Sequence, residues 1–272
     1  MRAASPMLLA ARLAESHPLL WRVAWEAAHL GPLLPHDKSY LAIRHFIAQR
    51  PGGLILDIGA NDGISALGFR KLDGAAPIVA IEPNPIHSAA LARLASKDAL
   101  FSYRIAACGA APGTLRLTMP WYGWIPLHTF CSSSEEGALA EVEQAFGRGV
   151  AKKVTTTSFA SEVITIDELG LAPSIMKIDA EGAGLLVLQG ALGTIRAHRP
   201  FIVIELGGDR LPAGDLLRSC GYEMATYDAS TDRFTLGDAV SGHHSGERNS
   251  FAIPTETLPA LRPFIGARDD LR

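Results

Sequence analysis

Asp57, Gly59, Ala60, Asn61 and Gly63 lie within the run LILDIGANDG (54–63), directly behind an apolar segment. Glycine accepts the positive φ of a sharp strand-to-helix turn and leaves no side chain between backbone and ligand. Asparagine is the next most tolerant residue in the left-handed region. A helix starting at such a turn presents free N–H groups to a polar or anionic ligand group. A dinucleotide fingerprint requires G-x-G-x-x-G. Counted from Gly59, its second and third glycine positions hold Asn61 and Ile64, so the fingerprint fails.

One strand further on, Glu82 closes the run IVAIE (78–82). An acid there can accept hydrogen bonds from both hydroxyls of a ribose. The pattern D-x-G-x-N-x-G with this acid is closer to the loop that holds S-adenosylmethionine, whose parts are an amino-acid head, a ribose and an adenine. Nicotinamide sites use the same ribose-binding acid, so Glu82 alone does not separate the two.

A second cluster of acids stands in KIDAEG (177–182). Asp179 and Glu181 follow a strand-like run at the edge where open α/β sheets bind ligands. Either can serve as an acid or base, with Asp179 nearer the charged end of a donor and Glu181 opening the next helix, where its charge suits the dipole. Lys177 shares the face of Asp179 by period-2 alternation and can pair with it or be solvated. Glu205, at the end of FIVIEL (201–206), is a further carboxylate on this edge. Asp179, Glu181 and Glu205 could form an oxygen-ligand cation site, but such carboxylates more often bind substrate hydroxyls, and no metal is expected. His128, His243 and His244 fall in loops; His128 is a candidate base and His244 a candidate substrate contact. Trp121, Tyr122 and Trp124 offer flat aromatic surface for a ring-bearing acceptor or for packing.

These residues need a scaffold, and the pattern supplies one. Apolar β-branched runs at 54–58, 78–82, 101–107, 175–179 and 201–206 alternate with helical stretches at 62–72, 85–96, 183–198 and 211–220. Alternation of this kind predicts βαβ units and a mostly parallel sheet with helices on both faces. YEMATYD (222–228) and SFAIP (250–254) predict a closing antiparallel pair, while 113–120 and 162–169 read as extra strands. Residues 1–50 read as an Ala/Leu-rich helical extension, which can cover the core, join copies of the chain into a homo-oligomer or touch a membrane surface. The domain proper takes 51–272, with an insertion at about 121–160 that carries the aromatic cluster and ends in a helix. Insertions of this kind commonly sit above an active edge.

The bulk numbers exclude several classes. The chain has 272 residues and a formal net charge of −3, so it carries no basic footprint for nucleic acid. Nearly half of it is hydrophobic, yet no apolar run approaches the roughly 18 residues of a membrane span. Three separated cysteines form no C-x-x-C and fit a reduced, cytoplasmic protein.

LDIGANDGISALGF, VAIEPNP and IMKIDAEGAGLLVLQGA with RPFIVIEL together resemble the FkbM family of S-adenosylmethionine-dependent methyltransferases, over residues 51 to 254. The resemblance implies a Rossmann-like class I methyltransferase with a seven-stranded sheet, acting on hydroxyl oxygens of small molecules, sugars or polyketide-like acceptors. It also implies that Asp57, Gly59, Ala60, Asn61, Gly63, Glu82, Pro83, Asn84, Ala107 and Asp179 bind the cofactor. At the position of Gly184 the family commonly carries an acid or a bulky residue. Two other classes stay in view: a nucleotide-dependent oxidoreductase, and a relative that binds the cofactor without transferring anything.

Overall fold

The computed structural model describes residues 37–205, 210–237 and 249–266. Among these, the larger of two compact units takes residues up to 113 and from 162 onward, and the smaller takes 114–161.

The larger unit is built on an eight-stranded sheet. Five strands run parallel: β1 (Ile55–Ile58), β2 (Ile78–Glu82), β3 (Phe101–Ile105), β8 (Ile175–Ile178) and β9 (Phe201–Glu205). Three more, β10 (Tyr222–Asp228), β11 (Arg233–Leu236) and β12 (Asn249–Pro254), extend it through antiparallel ladders. The order is β11-β10-β12-β9-β8-β1-β2-β3. The chain leaves β1 toward β2 on one side and later returns to β8 on the other, so the carboxyl ends of β1 and β8 flank the switch point where α/β sheets hold ligands. The sheet has one strand more than the seven expected. After β10, the Asp228 carboxylate accepts from Ser230 N–H at 2.8 Å, and Asp232 takes a left-handed φ of 57°. That tight turn sends β11 back as an added edge.

Alternate residues feed two cores, as strands covered on both faces require. Ile55, Ile78, Ile175, Phe201 and Val203 face a cluster with Phe69 of α2 (Ile64–Leu72) and Leu91 of α3 (Ser88–Lys97). Leu56, Ile58, Met176, Ile178 and Ile202 face the other, with Val187 of α6 (Gly184–Gln189), Ile195 of α7 (Leu192–His198) and Leu217 of α8 (Arg210–Ser219). The single helix expected over 183–198 is thus two. They part at Gly190, whose missing Cβ would lie 2.0 Å from the Gly109 carbonyl oxygen, so only glycine fits this backbone crossing.

Residues 37–47 are woven into the first core. Asp37 caps a 3-10 turn over Lys38–Ile43, accepting from Ser39 N–H at 2.8 Å, and α1 (Arg44–Ile47) follows. Tyr40, Ala42, Ile43 and Phe46 are buried, with Phe46 stacked on Phe201. Asn249, at the start of β12, donates to Asp37 Oδ2 at 2.8 Å and Ser39 Oγ at 2.9 Å. Asp232 receives Arg44 and His45, each at 2.7 Å, and the Tyr227 hydroxyl at 2.6 Å. Burial opposes its charge, but these donors hold its carboxyl well below the usual range.

In the larger unit β4 (Ala107–Cys108) pairs with Val163 and Ile164 at the end of β7 (Val154–Ile164). The third core strand therefore stops at Ile105, and Ala107 lies in a second sheet. The smaller unit contains β5 (Gly113–Tyr122) from Thr114 on, which turns at Gly123 into β6 (Ile125–Pro126), and α4 (Glu135–Phe146) with α5 (Arg148–Ala151). Trp121 Nε1 donates to Thr157 Oγ1 at 2.8 Å, and Ser134 caps α4 by accepting from Gly137 N–H. Among the described residues no helix is long and apolar enough to cross a membrane.

If residues 37–47 are part of this core, Phe46→Ala should destabilise the chain by about 3–5 kcal/mol. Urea unfolding checks this; a loss below about 1 kcal/mol would place Phe46 outside the cooperative unit.

Candidate active site

Parallel register sets the rim. Asp57 lies opposite Lys177 across the β1–β8 pair and opposite Ala80 across β1–β2. Asp57 and Lys177 share a face, and both are buried, at 0% and 3% exposure. Lys177 Nζ stands 3.2 Å from Asp57 Oδ1 and 3.5 Å from Asp179 Oδ2, and donates to the Gly59 carbonyl at 2.6 Å. Ser65 Oγ donates to Asp57 Oδ2 at 2.5 Å. Among the described residues Asp57 Oδ1 has no donor aligned for a hydrogen bond, and the ammonium meets it as an ion pair. Burial works against the Lys177 charge, yet Asp57, Tyr40 and Asp179 hold its pKa above the ordinary value.

The turn after β1 has the conformation its residues predict. Gly59, Asn61 and Gly63 all have positive φ, at 74°, 53° and 89°. A Cβ on Gly59 would fall 1.8 Å from the Asp179 carbonyl oxygen, which is backbone and cannot yield. Ala60 is buried, and the Asn61 side chain accepts from Asp62 N–H at 2.8 Å.

Glu82 ties this turn to the exit of β2. Its Oε2 accepts from Asn61 N–H and its Oε1 from Asn84 N–H, both at 2.8 Å. Each carboxylate oxygen keeps a lone pair for a ligand hydroxyl. Burial pushes the Glu82 carboxyl up to about 7, against the pull of the two N–H groups. Past Pro83, buried Asn84 caps a short 3-10 turn by accepting from Ile86 N–H.

Beyond β8, Asp179 is one-third exposed, while Glu181 is exposed. Glu181 does not open the next helix. It sits in a turn three residues before Gly184, at φ 43°, followed by Gly182 at 87°. A non-glycine residue there stores backbone strain of the kind found at functional sites. Glu205, half-buried, ends β9 opposite Asn249.

The structure thus gathers Asp57, the 59–63 turn, Glu82, Asn84 and Asp179 at one sheet edge, and places Glu205 on that edge two strands from β1. Trp121, Tyr122, Trp124 and His128 belong to the smaller unit, where Tyr122 is buried and Trp124 is 45% exposed. His243 and His244 lie outside the described residues. Among the described residues no three His, Cys, Asp or Glu side chains are grouped to hold a metal ion.

Sequence reasoning did not anticipate Lys177 as the partner of Asp57; a lysine inside an apolar strand signals a buried partner without naming it. It also missed Tyr40. Burial raises the Tyr40 pKa above its ordinary value, Asp57, Asp179 and Asp37 add to that shift, and Lys177 opposes it.

Comparison with known proteins decides the class. The model of the FkbM methyltransferase domain matches residues 57–224, more than half of the chain. The chain belongs to the FkbM methyltransferase family. The matched span takes in the glycine turn, Glu82 and the KIDAEG segment of this family member. An FkbM methyltransferase from Methylobacillus flagellatus KT is 16% identical with a TM-score of 0.46, over 74% of this chain and 43% of that one. This chain therefore spans less than half the length of that protein. A TehB-like S-adenosylmethionine-dependent methyltransferase from Corynebacterium glutamicum is 15% identical, with a TM-score of 0.41, over 89% of this chain and 97% of that one. Fibrillarin from Aeropyrum pernix, solved with natively bound S-adenosyl-L-methionine, is 9% identical with a TM-score of 0.39, over 74% and 65% of the two chains. No curated protein matches the chain.

Glu82 makes stability depend on pH with a defined sign. Its folded pKa of about 7 lies above its ordinary 4.5, so ionising it costs stability. The cost is absent below about 4.5 and complete above about 7. Relative to Glu82→Gln, the ligand-free protein should lose on the order of 3 kcal/mol across that window. Unfolding midpoints of the two proteins across pH check this; parallel profiles would contradict it.

Proposed function

We propose that this FkbM-family protein transfers a methyl group from S-adenosylmethionine to a hydroxyl oxygen of a small-molecule, sugar or polyketide-like acceptor. The observation that carries the reading is the Glu82 carboxylate, buried and joined to the turn after β1 through Asn61, within the span that matches the family. The residues present fit such a donor. Gly59 cannot carry a side chain, three left-handed positions at 59, 61 and 63 curve the turn, and Glu82 keeps acceptor capacity for two hydroxyls.

In this reading Glu82 binds the ribose, and the backbone of 59–63 with Asp57 borders the amino-acid end. Asn84, Pro83 and Ala107 border the adenine. The donor supplies an electrophilic methyl group on a sulfonium. The chain's own task is placement, since holding two reactants in a near-attack geometry removes many powers of ten from the barrier. An alcohol acceptor must also lose its proton. Glu181, exposed and held in a strained turn at the rim, is the base assigned to it, and Asp179 carries negative charge beside the donor's cationic end. Glu205 is assigned to acceptor hydroxyls.

Two measurements test the reading. Only ionised Glu82 accepts two hydroxyls, so S-adenosylhomocysteine should bind about tenfold more weakly at pH 6 than at pH 8, given a pKa of about 7. Calorimetric titration checks this, and no binding at either pH would end the reading. In a methyl-transfer assay against a library of hydroxylated acceptors, Glu181→Gln should keep S-adenosylhomocysteine affinity and lower turnover by roughly 10²–10⁴. Unchanged turnover would remove Glu181 as the base.

A further inference from the structure

We propose that Lys177 is a positioning residue for donor binding: it fixes the turn after β1 and the acid after β8 relative to one another. This rests on the donor reading given above. Burying an ammonium inside an apolar strand is costly unless partners compensate it. Lys177 has partners from three different segments: Asp57 on β1, the Gly59 carbonyl in the turn, and Asp179 beyond β8.

A lysine serving only to neutralise Asp57 would need the first of these alone. The 2.6 Å bond to Gly59 goes further, because it orients a peptide group of the donor-binding turn. It acts where the turn lies too close to the Asp179 backbone for any Cβ. The contact with Asp179 then holds a partly exposed carboxylate at the rim by its Oδ2. One ammonium thereby joins the strand, the turn and the rim acid. Loss of Lys177 should weaken donor binding even where the buried charge of Asp57 has also been removed.

The test is a double-variant comparison on the full chain, read by calorimetric titration with S-adenosylhomocysteine and by thermal unfolding. Lys177→Met alone leaves Asp57 buried and unpaired and should lower the unfolding midpoint sharply. Asp57→Asn combined with Lys177→Met is neutral at that pair and should recover most of the midpoint. Asp57→Asn alone supplies the reference affinity. The expected result is an affinity at least tenfold weaker in Asp57→Asn/Lys177→Met than in Asp57→Asn, with the midpoint recovered. If Lys177→Met fails to fold, the comparison within the Asp57→Asn background carries the test by itself. Equal affinities in that background would overturn the positioning role and leave the donor reading standing. Absence of binding by the wild-type chain would overturn both.

Discussion

Backbone is pressed against backbone where the turn after β1 passes the chain leaving β8, and the rest of the rim depends on that contact. Gly59 has no room for a Cβ because the Asp179 carbonyl oxygen occupies its place. Parallel pairing of β1 with β8 brings the two segments out of the sheet at the same level. The glycine allows them to stay close, and the left-handed positions that follow turn the chain into α2. A side chain at position 59 would push apart the two segments that carry Asp57 and Asp179.

Charge is distributed around that contact in a definite way. The innermost level holds an ion pair, Asp57 with Lys177, excluded from solvent. Outside it stand acids that differ in their surroundings. Glu82 is buried and braced by two N–H groups, Asp179 is partly exposed, and Glu181 is exposed on a strained turn. Under the proposed function these surroundings suit one acid to bind and another to accept a proton. Asn249 holds the Asp37–Ser39 segment beside the end of β9, and Tyr40, the next residue, shares the electrostatic field of Lys177.

Much of this scaffold was legible because local rules and tertiary packing agree. IVAIE and YEMATYD form strands over the predicted residues, the first as a continuous apolar run that suits a strand covered on both faces and the second in the antiparallel pairing expected with the last strand. The glycine turn was legible because left-handed backbone restricts residue type so strongly. The partner of Lys177 was not legible, because register between β1 and β8 is a property of the assembled sheet. Tyr40 was missed for a related reason: the pattern of residues 1–50 shows helix, but not that its later part enters the core. Helical periodicity ran on through 183–198, while the close passage of Gly190 over Gly109 divides that helix. Glu181 follows the same lesson, as proximity to a helix start did not reveal its left-handed turn.

On the proposed function, the donor is held by ionised Glu82 at the turn after β1. The most direct test of this claim is the number of protons exchanged on binding S-adenosylhomocysteine, from calorimetric heats in buffers of different ionisation enthalpy. With a pKa of about 7, roughly half of the Glu82 side chains are protonated at pH 7, and binding should release about half a proton per chain. The Glu82→Gln variant should release none from this position. Tight binding by the wild-type chain with no proton released at any pH from about 5 to about 8 would contradict the claim.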